Sequence, residues 1–317
     1  METSTPLVTI CIPTYNRADT FLPAALAAAS NQTYRNLEIL VSDNASTDRT
    51  PELVRHFGDP RIRYHRQEGN IGSVGNINFC IQSSRGKYTL LLMDDDSIDP
   101  DFVACCVGAA RDNPETGLIR TGARIVDGDG KVIYRARNLV GGLDFTQFVI
   151  AWTEGKMLPF LCSTLFRTQP LQEIGINSRY HHWDDVMGEF EIAYRYGRID
   201  IPDIKASYCI HPGELTFKEG VREWCEDSRE LIELVCRLAP EDDSLLRSRL
   251  TSYLALLNYR IAARLKQRWP TRLHEAVAVY RTLGVLPKVE FFRAFLAEMS
   301  WFSILRSAKR KLWRVRH

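Results

Sequence analysis

The chain of 317 residues has no apolar run near the roughly 18 residues that a membrane-spanning helix needs. No charged-then-apolar leader precedes its first strand-like segment, so neither spanning nor export is expected. None of its eight cysteines forms a Cys-x-x-Cys pair. Apart from the vicinal Cys105 and Cys106 they are scattered through apolar segments, which points to buried thiols in a reducing compartment, not a disulfide frame or a zinc site. No G-x-x-x-x-G-K-[ST] occurs, which excludes a P-loop NTPase. Gly69, Gly72 and Gly75 have the wrong spacing and place for a dehydrogenase fingerprint. Net charge is also scarce: +2 with 25% charged residues, so no global field points to nucleic acid and no nucleic-acid partner is expected. There is no internal repeat and no low-complexity tract.

What is present is a set of short apolar runs that end abruptly in polar turns. Tyr88–Met93 runs straight into Asp94, Asp95 and Asp96, with Pro100 beyond. Thr5–Ile12 leads to Pro13, Thr14, Tyr15, Asn16 and Arg17. Leu37–Val41 leads to Ser42, Asp43 and Asn44. Such runs read as buried strands. Helical patterns over 20–30, 50–57 and 75–83 separate them, giving a βαβαβ order and a parallel sheet. Ligands bind beyond the carboxyl ends of such strands, so the three polar turns are expected to converge on one crevice. Adjacent carboxylates at a strand end repel, and their hard oxygens suit Mg²⁺ or Mn²⁺. A solvated acidic turn that caps the next helix is the competing reading on spacing alone.

The motifs Pro13-Thr-Tyr-Asn-Arg17, Ser42-Asp-Asn-Ala-Ser46, Asn70-Ile-Gly72 with Asn78, and the Asp94 cluster occur in this order. Together they resemble family-2 inverting glycosyltransferases with the GT-A fold, of the bacterial surface-polysaccharide or O-antigen type. The resemblance implies a Rossmann-like, mixed but mainly parallel sheet flanked by helices. It places Pro13, Thr14, Tyr15, Asn16 and Arg17 at the donor, with Thr14 and Tyr15 lining a nucleoside pocket. It implies that Asp43 accepts a hydrogen bond from the donor's base and that Asn70, Gly72 and Asn78 pack beside the nucleotide. Members often read Asp-x-Asp-Asp here; Met93 stands where the first Asp would fall. Asp95 is therefore the expected metal ligand, Asp94 a ribose or phosphate contact, and Asp96 a further metal candidate.

The segment Trp183-Asp-Asp-Val-Met-Gly-Glu-Phe-Glu-Ile-Ala-Tyr-Arg-Tyr-Gly197 puts a carboxylate pair at the mouth of an amphipathic helix. It is similar to the family motif that carries the general base, which implies Asp185 in that role with Asp184 beside it. Helix capping by Asp is the competing reading. His211, after a strand-like 199–204, matches a histidine that in some members touches metal or diphosphate. His181 and His182 read as packing beside Trp183; Trp152, Phe160 and Trp183 suit either a sugar ring or the core.

Gly117–Val126 and Lys131–Tyr134 read as a hairpin around the turn Asp127-Gly-Asp-Gly130, and Phe160–Arg167 as an inner strand. From about residue 219 strand signals vanish, giving domains of 1–218 (catalytic) and 219–317 (a helical appendage). Helical patterns cover 221–238, 243–268, 271–283 and 288–316. The last interleaves Phe295, Trp301, Phe302 and Trp313 with Arg306, Lys309, Arg310, Lys311 and Arg314, which suits either an anionic membrane surface or a docked helix. The expected protein is a cytoplasmic or peripheral inner-face enzyme. It would move sugar from a nucleotide-sugar to an acceptor hydroxyl, on a saccharide free or lipid-linked, with Mg²⁺ or Mn²⁺ and an Asp base. A non-catalytic binding scaffold of the same fold and a sugar nucleotidyltransferase are the alternatives.

Overall fold

A computed structural model describes residues 5–176, 182–211, 220–264 and 269–286. The predicted helix over 288–316 and His181 lie outside the described residues. The chain divides into two compact units, one of Met1–Glu214 with Leu234–Leu246 and the other of Leu215–Glu233 with Arg247–His317.

The first unit is built on one sheet. Its elements run β1 (Val8–Thr14), α1 (Leu22–Ser30), β2 (Leu37–Asp43), α2 (Thr50–His56), β3 (Ile62–Arg66), α3 (Gly72–Ser83), β4 (Tyr88–Leu91), β5 (Ser97–Ile98) and α4 (Phe102–Ala109). They continue with β6 (Leu118–Asp127), β7 (Val132–Ala136), α5 (Phe145–Thr153), β8 (Thr164–Arg167), α6 (Thr168–Ile174), α7 (Asp184–Tyr196) and β9 (Arg198–Ile210). The strand order is β3-β2-β1-β4-β8-β6-β9-β5, with β7 paired to β6.

All seven residues of β1 are buried. A strand covered on both faces by crossover helices has no use for alternation, which is why β1 reads as a continuous apolar run. It pairs in parallel with β2 on one side, Thr14 facing Asp43, and with β4 on the other, Cys11 facing Leu91. Strand β8 enters antiparallel between β4 and β6, and β6 runs parallel to β9. This is the mixed, mainly parallel sheet with flanking helices that the sequence predicts. At the register shift between β6 and β9, a Cβ on Gly122 would meet the Ala136 carbonyl oxygen at 2.7 Å, so the close approach of three strands requires glycine.

Two strands were not foreseen, the two-residue β5 and the longer β3. Ile62-Arg-Tyr-His-Arg66 lacks an apolar run, yet it forms β3 at the sheet edge, paired to β2 along Ile39–Asp43. An edge strand keeps one flank in water and needs few apolar side chains. Seven of the eight cysteines are buried, Cys105 being half-buried, and all eight are free.

Helix α8 (Val221–Leu238) begins in the second unit and ends in the first. Helices α9 (Asp243–Arg264) and α10 (Trp269–Leu283) follow the helical pattern. Pro270 sits inside the first turn of α10, where its missing N–H has no partner to lose. Within the second unit Asn258 Nδ2 donates to Ser228 Oγ at 2.9 Å, both side chains buried. No helix among the described residues is long and apolar enough to cross a membrane.

Candidate functional site

The strand ends of β1, β2 and β4 carry the polar groups that the motifs singled out. Thr14 Oγ1, last in β1, donates to Asp94 Oδ2 at 2.6 Å, just past β4. Burial, with the neighbouring Asp95 charge, pushes the Asp94 carboxyl up to about 6 in spite of that bond. Asp95 Oδ2 lies 2.9 Å from Nε2 of His211, which follows β9. The His211 ring lies tilted against Phe21, centroids 4.4 Å apart, and the Arg17 guanidinium sits over the same Phe21 ring, 5.5 Å from its centroid. Thr14, Arg17, Asp94, Asp95 and His211 are thus brought together from three distant segments. Phe21 is a residue that sequence reasoning missed.

Asp96 turns the other way. It is buried, accepts a hydrogen bond from the Cys209 amide at 3.0 Å, and burial pushes its carboxyl well above the ordinary range. Its contact is therefore with the β9 backbone, two residues before His211. Among the described residues no group of three or more His, Cys, Asp or Glu side chains forms a ready metal cage.

Asp43 ends β2 with no exposed surface. Its Oδ1 accepts from the Ser46 amide at 2.8 Å and its Oδ2 from the Tyr64 hydroxyl at 2.6 Å, with Arg66 Nε 3.6 Å away. Each carboxylate oxygen thus already accepts one hydrogen bond from within the protein. Tyr64 and Arg66 come from the unforeseen β3. Asn44 was also missed: its Nδ2 donates to Asn70 Oδ1 at 3.0 Å and its Oδ1 accepts from the Ile71 amide at 2.8 Å. Asn70 Oδ1 also accepts from the Gly72 amide at 2.9 Å. The two asparagines lock the turn that opens α3, and Gly72 at φ 79° takes the left-handed conformation there. Asn16, at φ 55°, ties the turn after β1 to that after β2 by accepting from the Thr47 amide at 2.7 Å.

Asn78 does not join this group. Its amide clasps Ile176, donating to the carbonyl at 2.8 Å and accepting from the N–H at 3.1 Å. It anchors the segment after α6, not the strand ends. Pro13 is buried within β1, whereas Tyr15 is 43% exposed.

The second carboxylate group lies on α7. Gly197 stops this helix at φ 76°, and β9 starts beside the beginning of β6, Arg198 facing Leu118. Strand β6 is antiparallel to β8 and β8 to β4, so β6 runs in the same direction as β4. A 13-residue helix is about 20 Å long and runs back over the sheet. Its first residues, Asp184 and Asp185, therefore lie toward the strand ends past which Asp94 stands. Asp184 is 4% exposed; Asp185 is somewhat more open. Burial and the charge of Glu189, one turn on, push the Asp185 carboxyl up to about 7, although its Oδ1 accepts from the Val186 amide at 2.8 Å. Trp183, the residue before the helix, packs edge-on against Trp152 at 5.9 Å, and Phe160 stacks on Tyr208 at 4.2 Å, so all three of these aromatics have protein partners.

The family model described as Glycosyl transferase family 2 matches residues 9–175. An uncharacterized glycosyltransferase of Rickettsia bellii is 35% identical over 141 residues, 43% of this chain and 20% of the relative. Chondroitin synthase of Escherichia coli is 33% identical over 136 residues, 42% of this chain and 19% of the relative. The chain therefore spans about a fifth of the length of these relatives. S. aureus TarS in complex with UDP-GlcNAc is similar in structure at a TM-score of 0.67 and 14% identity, over 87% of this chain and 81% of that one. The mannosyltransferase PcManGT of Pyrobaculum calidifontis, in complex with GDP-Man and Mn²⁺, gives 0.60 at 21% identity, over 95% and 81%. At these identities the likeness to both structures is one of fold.

Proposed function

The chain belongs to glycosyl transferase family 2, and from that premise we propose that it moves a sugar from a nucleotide-sugar donor to an acceptor hydroxyl with inversion at the anomeric carbon. The observation that carries this reading is the Asp185 carboxyl, pushed up to about 7 and lying toward the strand ends past which Asp94 and Asp95 stand. A sugar hydroxyl is a weak nucleophile until its proton is being removed, and a base that titrates near neutral pH does this best. Asp185 takes that proton. The hydroxyl oxygen bonds to the anomeric carbon while the bond to the diphosphate oxygen breaks on the opposite face, through an oxocarbenium-like transition state.

The donor lies across the ends of β1, β2 and β4. Its base packs on the exposed Tyr15 ring, and Asp43 acts from below by holding Ser46, Tyr64 and Arg66 in place. The Asn44–Asn70 brace presents the start of α3, whose amides suit phosphate oxygens. The carboxylate and imidazole of Asp95 and His211, 2.9 Å apart, fit a divalent cation that takes few protein ligands, in keeping with the Mn²⁺ of the PcManGT complex. Asp95 and His211 would hold such an ion, which when bound supplies positive charge against the departing diphosphate. Asp96, bonded to Cys209, stabilises the turn.

The likeness to a chondroitin synthase supports a saccharide acceptor; our reading takes it as one of surface-polysaccharide or O-antigen type, free or lipid-linked, met at the inner face of the membrane. The test is a panel of UDP- and GDP-sugars with Mn²⁺ and saccharide acceptors. Nucleoside diphosphate release and the anomeric configuration of the product are read together. An α-linked donor should give a β-linked product. Retention would overturn the displacement, and absence of release with every donor would leave a binding scaffold.

A further inference from the structure

Among the described residues Arg120 is the largest fully buried side chain, and it lies on β6, between β8 and β9. Its Nη2 donates to Glu189 Oε2 at 2.5 Å, and neither side chain has any exposed surface. Thr164 completes the arrangement: its Oγ1 donates to Glu189 Oε1 at 2.8 Å and lies 3.3 Å from Arg120 Nε. Arg120 and Thr164 face each other across β6 and β8, and Glu189 descends onto them from α7. Such a pair seldom adds net stability, since desolvating two ions costs about as much as their attraction returns. Burial pushes the Glu189 carboxyl up, while Arg120, whose guanidinium does not give up its proton, and the Thr164 hydroxyl both favour the ionised form.

Glu189 stands four residues after Asp185, on the same face of α7 and about 5–6 Å away between Cβ atoms. The medium between them is protein and screens little. We propose that Glu189, fixed by Arg120 and Thr164, is a positioning residue that sets the protonation of Asp185 and so the pH at which transfer begins; this rests on Asp185 being the base. The anion makes Asp185 hold its proton more tightly, and burial acts in the same direction. Other charged groups along α7 are Asp184 and His182 at its start and, toward its far end, Arg198 with its partner Asp200 on β9 at 2.8 Å, Asp144 capping α5, and Glu173 on α6, which is engaged by the Tyr196 hydroxyl at 2.6 Å. Arg198 is separated from Arg120 by the Phe148 ring, which both guanidiniums face, at 4.2 and 5.7 Å.

The test is the pH dependence of kcat/KM for the full chain. Glu189→Gln should move the acid limb down by about one pH unit, while Glu189→Asp, which keeps the charge, should leave the limb in place. Because Glu189→Gln strands a buried guanidinium, the double variant Arg120→Leu with Glu189→Leu provides a second route, replacing the pair by apolar groups of similar size. In that variant the Asp185 carboxyl, followed by carbon-13 NMR, should titrate at lower pH than in the parent. An unmoved limb and an unmoved titration overturn the proposal. If Asp185→Asn keeps its turnover, the base assignment itself fails instead, and the two failures are told apart.

Discussion

Two acidic groups lie toward the same strand ends of the sheet, and their surroundings differ. At the end of β4, Asp94 is met by a hydroxyl and Asp95 by an imidazole. On α7, Asp185 is met by a backbone amide and by the charge of a second acid. Both Asp94 and Asp185 are pushed up, to about 6 and about 7, chiefly by burial. Donors and a partner for positive charge surround the first group, which suits binding. Asp94 also has an acid, Asp95, beside it, but a hydroxyl offsets that charge, whereas Asp185 meets the charge of Glu189 with backbone amides against it, which suits holding and releasing a proton. The chemistry of a carboxylate follows from its neighbours more than from its burial.

The sharpest way to break this comparison is Asp185→Asn. Turnover should fall by about 10³-fold, within the range that a positioned base contributes. Donor affinity, measured by calorimetry with Mn²⁺, should be unchanged. If affinity fell along with turnover, the two groups would not be separable, and Asp185 would belong to the binding set.

The reciprocal experiment is His211→Ala. The Mn²⁺ concentration for half-maximal rate should rise about tenfold or more, since removing one supporting nitrogen typically costs that much metal affinity. The rate of the Asp185→Asn variant should show no such shift in metal dependence. An unaltered Mn²⁺ requirement in His211→Ala would reduce that histidine to packing against Phe21.

A third prediction concerns stability. A carboxyl raised in the fold resists ionising there, whereas the unfolded chain ionises at its ordinary value. The folded state is therefore penalised progressively as pH rises from about 4 to about 7, and the penalty is constant above that. Asp185→Asn should remove it. Urea unfolding at about pH 8 should show a gain of about 2 kcal/mol, less than the full shift implies because Asp185 is partly open to solvent, and the gain should nearly vanish by about pH 4.5. A gain equal at both pH values would mean that the raised value has another origin.

The two regions also differ in how far they could be read from the sequence. The ends of β1, β2 and β4 were legible because each is a continuous apolar run cut off by polar residues, and the residues that matter sit at the cut. The carboxylates of α7 were legible as a helix mouth. The partners were not. Tyr64 reaches Asp43 from an edge strand with no apolar run, and Glu189 meets Arg120 across 69 residues. One signal was available: Arg120 interrupts the apolar segment of β6, and Glu189 falls on the buried stripe of α7, so each ion called for a partner of opposite sign. Asp43 and Asn78 show the converse. Their motif positions were clear, yet the directions of their side chains depend on contacts with β3 and with Ile176, which no local pattern encodes.

The mildest test lies at the junction of β1 and β4. Thr14→Val keeps the shape and β-branching of a side chain buried in a central strand, so the strand should form as before. What is lost is the hydroxyl that donates to Asp94 Oδ2. Removing one such bond costs about 1 kcal/mol, or about fivefold in affinity. Donor binding should weaken by that factor, while the pH at which turnover rises should stay where Asp185 sets it. Thr14→Ser, which restores the hydroxyl and sheds only a methyl group, should recover donor affinity. If Thr14→Val instead moved the pH profile and left affinity intact, the strand-end acids would be taking part in proton transfer, and the division between a binding group and a proton-holding group would have to be redrawn.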